Sequence, residues 1–382
     1  MTAGETRAGV TGCAGGRRKG REVDGVDVND LLKEAADKQA SDLHLKAGAP
    51  PFLRIHGDLV PVGTETLTAA DTERIALEIM DQRMAGRFIE TNEADFAYSL
   101  DGVGRFRVNV FRQRGSVGIV MRRVLPSSQT FDKLNLPPVV ARLAEEPRGL
   151  LLVTGPTGSG KTTTCAAVID HINSTRRCHI VTVEDPIEIM HSDKLALVNQ
   201  REIGVDTEDF ASALKRVARQ DPDVIFIGEM RDPETVSAAL RAAETGHFVL
   251  STLHTVDATE TINRIIDFFP SDQQKQVRLS LAGTLRGIVA QRLLQRAEGA
   301  GRIPAVEVLV MTGRAFDFIV NPEQTHLLEE VIAEGEYYGM QTFDQALLVL
   351  YRNGAVTFEE ALGVSSNPQD FRLSCRQAGL PT

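Results

Sequence analysis

The chain has 382 residues, a formal net charge of −10 at pH 7 and four cysteines. That length exceeds what one hydrophobic core usually supports, so two domains are expected, and the acidic balance excludes a non-specific nucleic-acid binder, which needs a net basic face. Cys13, Cys165, Cys178 and Cys375 are scattered, with neither zinc-ligand spacing nor a disulfide framework, which fits a reducing compartment; no apolar run approaches the ~20 residues that span a bilayer and no signal peptide is visible, so the expected location is cytoplasmic or peripheral on a membrane.

Residues 1–23 are rich in Gly, Arg, Thr and Ala, lack apolar periodicity and are expected to form a disordered, solvated leader. Residues 28–40 read as an amphipathic helix, with Leu31, Leu32, Ala35 and Ala36 on one side. Alternating runs at 42–45 and 51–55 read as strands, and Gly57-Asp58 as a turn. A second helix is expected over 68–84, capped by Thr68, and then a hairpin of 104–110 and 117–124 turning through 113–116. These pieces make a small α+β domain, 24–124, followed by a hinge linker, 125–138, that ends at Pro137 and Pro138.

From residue 139 the pattern changes. Apolar runs at 150–153, 179–183, 224–227 and 248–253 alternate with helical runs, the arrangement of a parallel sheet with crossover helices. One of those helices is punctuated by Asp232 as cap, Pro233 in the first turn and Gly246 at its stop. Beyond 272 the chain is expected to be mostly helical, over 273–296, 312–321, 324–333, 342–352 and 357–361.

The strongest signal is Gly155, Pro156, Thr157, Gly158, Ser159, Gly160, Lys161 and Thr162, between a strand-like run and a helical one, in the spacing of a phosphate-binding P-loop. The three glycines admit backbone angles that point successive N–H groups at a phosphate, at the positive end of the following helix. Lys161 is then expected on the β- and γ-phosphates, and the Thr162 hydroxyl on Mg²⁺.

Ligands of an open parallel sheet bind beyond the carboxyl ends of its strands, so acids that follow strands point at the P-loop. Glu184 follows one and is placed to polarise an attacking water; Glu229 follows another, as needed near Mg²⁺. The plainer reading of each is a cap on the next helix. His254 follows a third strand and His247 precedes it, and either imidazole could contact phosphate. Arg105, Arg107 and Asn109 share one face of the 104–110 strand, with Phe106, Val108 and Val110 facing the core. Such an arginine row is either a solvated face or a source of charge stabilisation in phosphoryl transfer.

Together these motifs resemble the secretion and type IV pilus ATPase superfamily, most closely the PilT-type pilus retraction ATPases. The likeness runs from about residue 26 onward through Ser41-Asp-Leu-His-Leu45, the strand from Gly104 to Arg112, the P-loop, Glu184-Asp185-Pro186, Gly228 to Asp232, Gly246-His247 and Thr252 to Thr255. It implies an α/β fold: a PAS-like α+β domain, then a RecA-like P-loop ATPase domain with a parallel sheet over 139–382, ending in a helical part. It further implies a hexameric ring at the inner face of the plasma membrane, driven by ATP and Mg²⁺, acting on a pilus platform protein and meeting the membrane only through that partner. Carried over, Glu184 is the general base and Glu229 the Walker B carboxylate, with Thr162, at the metal. Arg105, Arg107 and Arg112 are phosphate-facing, and His254 and His247 couple nucleotide state to movement. Extension ATPases of the superfamily typically carry a further N-terminal domain and a tetracysteine insert that are absent from this sequence, which favours the retraction branch. Arg314 to Asn321 departs from the Ala-Ile-Arg-Asn-Leu-Ile-Arg-Glu helix of that branch, whereas Tyr338 to Gln345 matches it. The alternatives are an ATPase for extension, DNA uptake or secretion, and, in another class, a scaffold that binds nucleotide with little hydrolysis.

Overall fold

A computed structural model describes residues 26–126, 130–299 and 301–382; Cys13 and the 1–23 leader lie outside them. The described residues pack as two units, one of 26–103 with 108–122, the other of 104–107 with those from 123 onward.

In the first unit, α1 (Val28–Asp37) starts where Asp27 accepts the Asn29 N–H and buries Val28, Leu31, Leu32 and Ala35. Strands β1 (Asp42–Lys46), β2 (Phe52–Ile55) and β3 (Asp58–Pro61) pair antiparallel in turn. Helix α2 (Ala69–Ile79) begins at a capping box between Thr68 and Asp71. The single helix expected over 68–84 is in fact two. Met80 is extended, and Asp81 accepts the Met84 N–H to start α3 (Gln82–Thr91), which ends at left-handed Asn92. Two caps in one periodic run outweigh the continuity of its apolar positions. Strands β4 (Glu93–Leu100), β5 (Gly104–Gln113) and β6 (Ser116–Pro126) complete a sheet ordered β3-β2-β1-β6-β5-β4. On β5, Phe106, Val108 and Val110 are buried, as the alternation predicts. The face of β1 that carries Asp42 binds Arg122 at 2.8 Å.

In the second unit, α4 (Pro138–Ala144) leads to β7 (Gly149–Thr154), α5 (Lys161–Thr175), β8 (His179–Glu184), β9 (Ile189–Met190) and β10 (Leu197–Glu202). Then come α6 (Phe210–Val217), β11 (Val224–Ile227), α7 (Pro233–Glu244), β12 (Phe248–Leu253), α8 (Ala258–Asp267) and α9 (Ser271–Thr284). The sheet is completed by β13 (Leu285–Gln295) and β14 (Arg302–Val310) in the order β10-β8-β11-β12-β7-β13-β14, parallel except for the last pair. Alternation in β7 sends Leu150 and Leu152 into the core under the α6 to α9 layer, and Leu151 and Val153 into the core under α4 and α5. Both faces are therefore covered, which is why β7, β11 and β12 are buried at every position. Helices α10 (Gly313–Val320), α11 (Leu328–Ala333), α12 (Phe343–Arg352), α13 (Phe358–Val364) and α14 (Pro368–Gln377) follow. Phe343, Leu347 and Phe371 pack on Ala290 and Leu294 of β13.

The helix expected over 273–296 stops at Thr284, and residues 285–295 are a strand between β7 and β14. Leu, Arg, Gln and Ala favour helix locally, but sheet pairing on both sides overrides that preference. Gly287 marks the change: a Cβ there would lie 2.8 Å from the Leu309 carbonyl oxygen and 2.8 Å from Leu143 Cδ1. Among the described residues no helix is long and apolar enough to cross a membrane.

Candidate active site

Strands β7, β8, β11 and β12 run parallel and adjacent, so the segments that follow them meet at one edge of the sheet. They wall a cavity of about 520 Å³ lined by the P-loop from Thr157 to Thr163, by Glu184 to Pro186, by Glu229, and by Thr252, His254, Phe210 and Arg302.

The loop is built as its glycines require. Gly155, Gly158 and Gly160 have φ of 141°, 80° and 92°, and a Cβ on Gly155 would lie 2.4 Å from the Gln291 carbonyl oxygen and 2.6 Å from Ser159 Oγ. Lys161 is 9% exposed and donates to the carbonyl oxygens of Gly155, at 2.8 Å, and Pro156, at 3.0 Å. Burial lowers the pKa of its ammonium. These oxygens hold the cation where a phosphate would otherwise be its counterion.

Glu184 is the last residue of β8 and is 7% exposed. Its Oε1 accepts from Thr182 Oγ1 at 2.6 Å and from Gln200 Nε2 at 3.1 Å. Burial pushes its carboxyl up to about 7, against the pull of those two donors, and the nearby Glu188 and Glu202 add to the rise. A carboxylate with that pKa, at the wall of a polar cavity, is suited to take a proton near neutral pH.

Glu229 follows Gly228 at the end of β11; the glycine leaves no side chain between it and Glu184, whose Cα lies 3.4 Å from where a Cβ would stand. One Glu229 oxygen pairs with Arg231, and the other lies 3.3 Å from His254 Nε2, outside hydrogen-bond geometry. That buried oxygen has no donor of its own, as an anionic metal ligand would. Among the described residues no three His, Cys, Asp or Glu side chains converge as a metal cage. A cation here fits the Mg²⁺ manner, with one carboxylate and the Thr162 hydroxyl beside substrate phosphates and water.

Not every residue read from the sequence joins this cavity. His247 lies before β12, at the other end of the strand from His254, where its Nδ1 is 2.9 Å from the Ala242 carbonyl oxygen. Arg105 ion-pairs with Glu202 at 3.0 Å, and Glu202 also accepts the Ile187 N–H. Arg107 is exposed. Arg112 pairs with Glu73 at 3.0 Å and lies over the Phe88 ring.

Sequence reasoning missed Arg302, which opens β14 and donates to the Gly158 carbonyl oxygen at 3.3 Å. It also missed a side cavity of about 190 Å³ beside Gly160, walled by Leu134, Leu136, Leu293 and Pro304, where the buried Gln291 carries an Oε1 with no donor. The signal for both was a pair of strands over 285–295 and 302–310, the first of which the helical reading hid.

Residues 22–335 match the family described as "Type II/IV secretion system protein". The chain is 42% identical over 348 residues to the type IV pilus ATPase PilU of Pseudomonas aeruginosa, covering 91% of each chain. It is 41% identical over 346 residues to the type IV pilus retraction ATPase PilT of the same organism, covering 91% of this chain and all of that one. Its fold superposes on the crystal structure of the pilus retraction motor PilT with bound ADP at a TM-score of 0.81 and 45% identity, covering 90% of this chain and 98% of that one.

Proposed function

The chain belongs to the type II/IV secretion system protein family, and from that premise we propose that it is an ATP-hydrolysing motor that powers type IV pilus retraction. The observation that carries the reading is a single cavity lined by a P-loop with its Thr162, by the buried Glu184 carboxyl and by Glu229, one oxygen of which has no donor.

In this reading the triphosphate lies in the glycine cradle, and Lys161 exchanges two loop carbonyls for the β- and γ-oxygens. Glu184 keeps Oε1 on Thr182 and Gln200 and uses Oε2 to take a proton from the attacking water. Thr162 and Glu229 would hold Mg²⁺, which supplies charge neutralisation at the transferring phosphoryl group. The base and ribose take the side cavity, where leucines and Pro304 offer apolar walls, Gln291 an acceptor, and Arg302 a cation beside the loop. His254, next to Glu229, senses the loss of the γ-phosphate. Arg105, Arg107 and Arg112 act on the phosphates in the assembled hexamer, which works at the inner face of the plasma membrane on a pilus platform protein.

The purified full chain is expected to release phosphate from ATP, and Lys161→Ala to abolish that release. Tight ATP binding with no turnover would instead point to a scaffold. Direction is read in cells: a deletion strain with surface pili that do not retract supports this assignment, and bald cells would transfer it to extension.

A further inference from the structure

We infer that Glu307, through its bond to the first amide of α8, is a positioning residue that holds the His254 loop in its working place. The inference rests on His254 belonging to the nucleotide site, as proposed above.

Glu307 lies in β14 and does not line the nucleotide cavity. It is 6% exposed, and Oε1 accepts the Ala258 N–H at 2.9 Å. Ala258 is the first residue of α8, and only Thr255, Val256 and Asp257 separate it from His254. That short connection has further ties to α8, among them the Asp257 carboxylate that accepts the Glu260 N–H at 2.7 Å and the Asp257 carbonyl oxygen that accepts from Thr261 Oγ1 at 2.6 Å. Thr255 and Thr261 share a hydroxyl hydrogen bond of 2.7 Å, and Glu260 accepts the Val256 N–H at 2.8 Å. The loop therefore moves with the first turn of α8, and Glu307 fastens that turn to the sheet.

The register of the sheet places Glu307 to do this. Leu253, the last residue of β12, pairs with Thr154, the last of β7; Thr154 pairs with Ala290, and Ala290 with Glu307. One transverse row thus joins the residue before His254, the residue before the P-loop and the carboxylate that holds α8. The same strand begins at Arg302, on the cavity wall. A shift of β14 at one point is a shift of α8 at the other.

Stability alone does not call for an acid here. Burial pushes the carboxyl up to about 7, Asp257 and Glu329 add to the rise, and the Ala258 N–H and Arg292 only partly oppose it. A neutral acceptor of the same shape would satisfy the Ala258 N–H without burying a charge, whereas an apolar side chain would leave that buried amide without its acceptor. What only an acceptor supplies is a fixed lateral position for the Ala258 amide.

The test uses the full-length chain, assayed for steady-state phosphate release and ADP binding. Glu307→Met keeps the volume and removes the acceptor; Glu307→Gln keeps both. We expect kcat to fall about tenfold in Glu307→Met with KM and ADP affinity within about twofold, and Glu307→Gln to stay within about twofold of the parent. Combined with His254→Ala, Glu307→Met should add less than about twofold to the loss, because both act on one element. Parental rates in Glu307→Met, a Gln enzyme as slow as the Met enzyme, or losses that multiply would each overturn the inference. If Glu307→Met does not fold, the isosteric Thr261→Val cuts the same path: a fall in kcat of about threefold with KM unmoved supports the role, and an unchanged kcat rejects it. If the parent does not hydrolyse ATP, the ATPase reading fails by itself, and amide hydrogen exchange over residues 254–258 decides the positioning role. Faster exchange in Glu307→Met than in Glu307→Gln supports it; equal exchange overturns it.

Discussion

Glu184 and Glu307 are buried to nearly the same depth, 7% and 6% exposed, and burial pushes both carboxyls to about 7. Their surroundings separate them. Glu184 stands at the carboxyl end of a parallel strand, with two side-chain donors on one oxygen and a polar cavity before it. Glu307 stands inside an antiparallel strand and spends its oxygen on a helix amide. A raised pKa therefore reports desolvation in both, and only what the oxygens face distinguishes a proton acceptor from a fastening.

The largest expected effect that would break or sharpen this contrast is on turnover. Glu184→Gln keeps the shape and both donors' partner but loses the proposed base, so phosphate release should fall by about 10³-fold while ATP affinity holds within a few-fold. A fall of less than about tenfold would mean that the proton goes elsewhere.

The next effect is on pH. Only ionised Glu184 accepts a proton, so kcat should decline by about tenfold per unit as pH drops below about 7. Glu307→Gln should leave that acid limb in place; its disappearance in the Glu307→Gln enzyme would reverse the two roles.

Arg302→Ala should act on binding rather than on chemistry, raising KM for ATP by about three- to tenfold with kcat little changed. A selective loss of kcat would put its guanidinium at the transferring phosphate instead of beside the nucleoside.

The smallest expected effect is thermal. Both folded-state pKa values lie above the ordinary carboxyl value of 4.5, so each group's contribution to stability is complete below that value and is lost as pH rises through about 7. Glu184→Gln and Glu307→Gln should match the parent's Tm near about pH 5 and exceed it by roughly a few degrees near about pH 8, as scanning calorimetry would read. An unchanged gap between the two pH values would mean that neither carboxyl is shifted.

The legible parts of this molecule were those written in consecutive residues. The P-loop announces itself because three glycines and a lysine must stand in fixed spacing between a strand and a helix, and Glu184 and Glu229 follow because each ends an apolar run. What failed to show depends on contacts distant in sequence. The 285–295 strand is made by β7, about 135 residues earlier by the Leu150 to Leu285 pairing, and by β14, so its own helix-forming composition misled. With that strand misread, Arg302, Gln291 and the side cavity had no place to be found. The break at Met80 and Asp81 was visible only as cap chemistry inside an unbroken apolar rhythm. His247 and His254 look equivalent in sequence, and the six residues of β12 between them send them to opposite ends of the strand.

Phe210 heads α6 as part of the cavity wall, and the chain contains no tryptophan. An indole introduced as Phe210→Trp would accordingly be the molecule's single emitter of its kind, placed where an arriving triphosphate changes the local polarity. Occupancy of the site could then be followed optically in the unlabelled protein, one signal per chain.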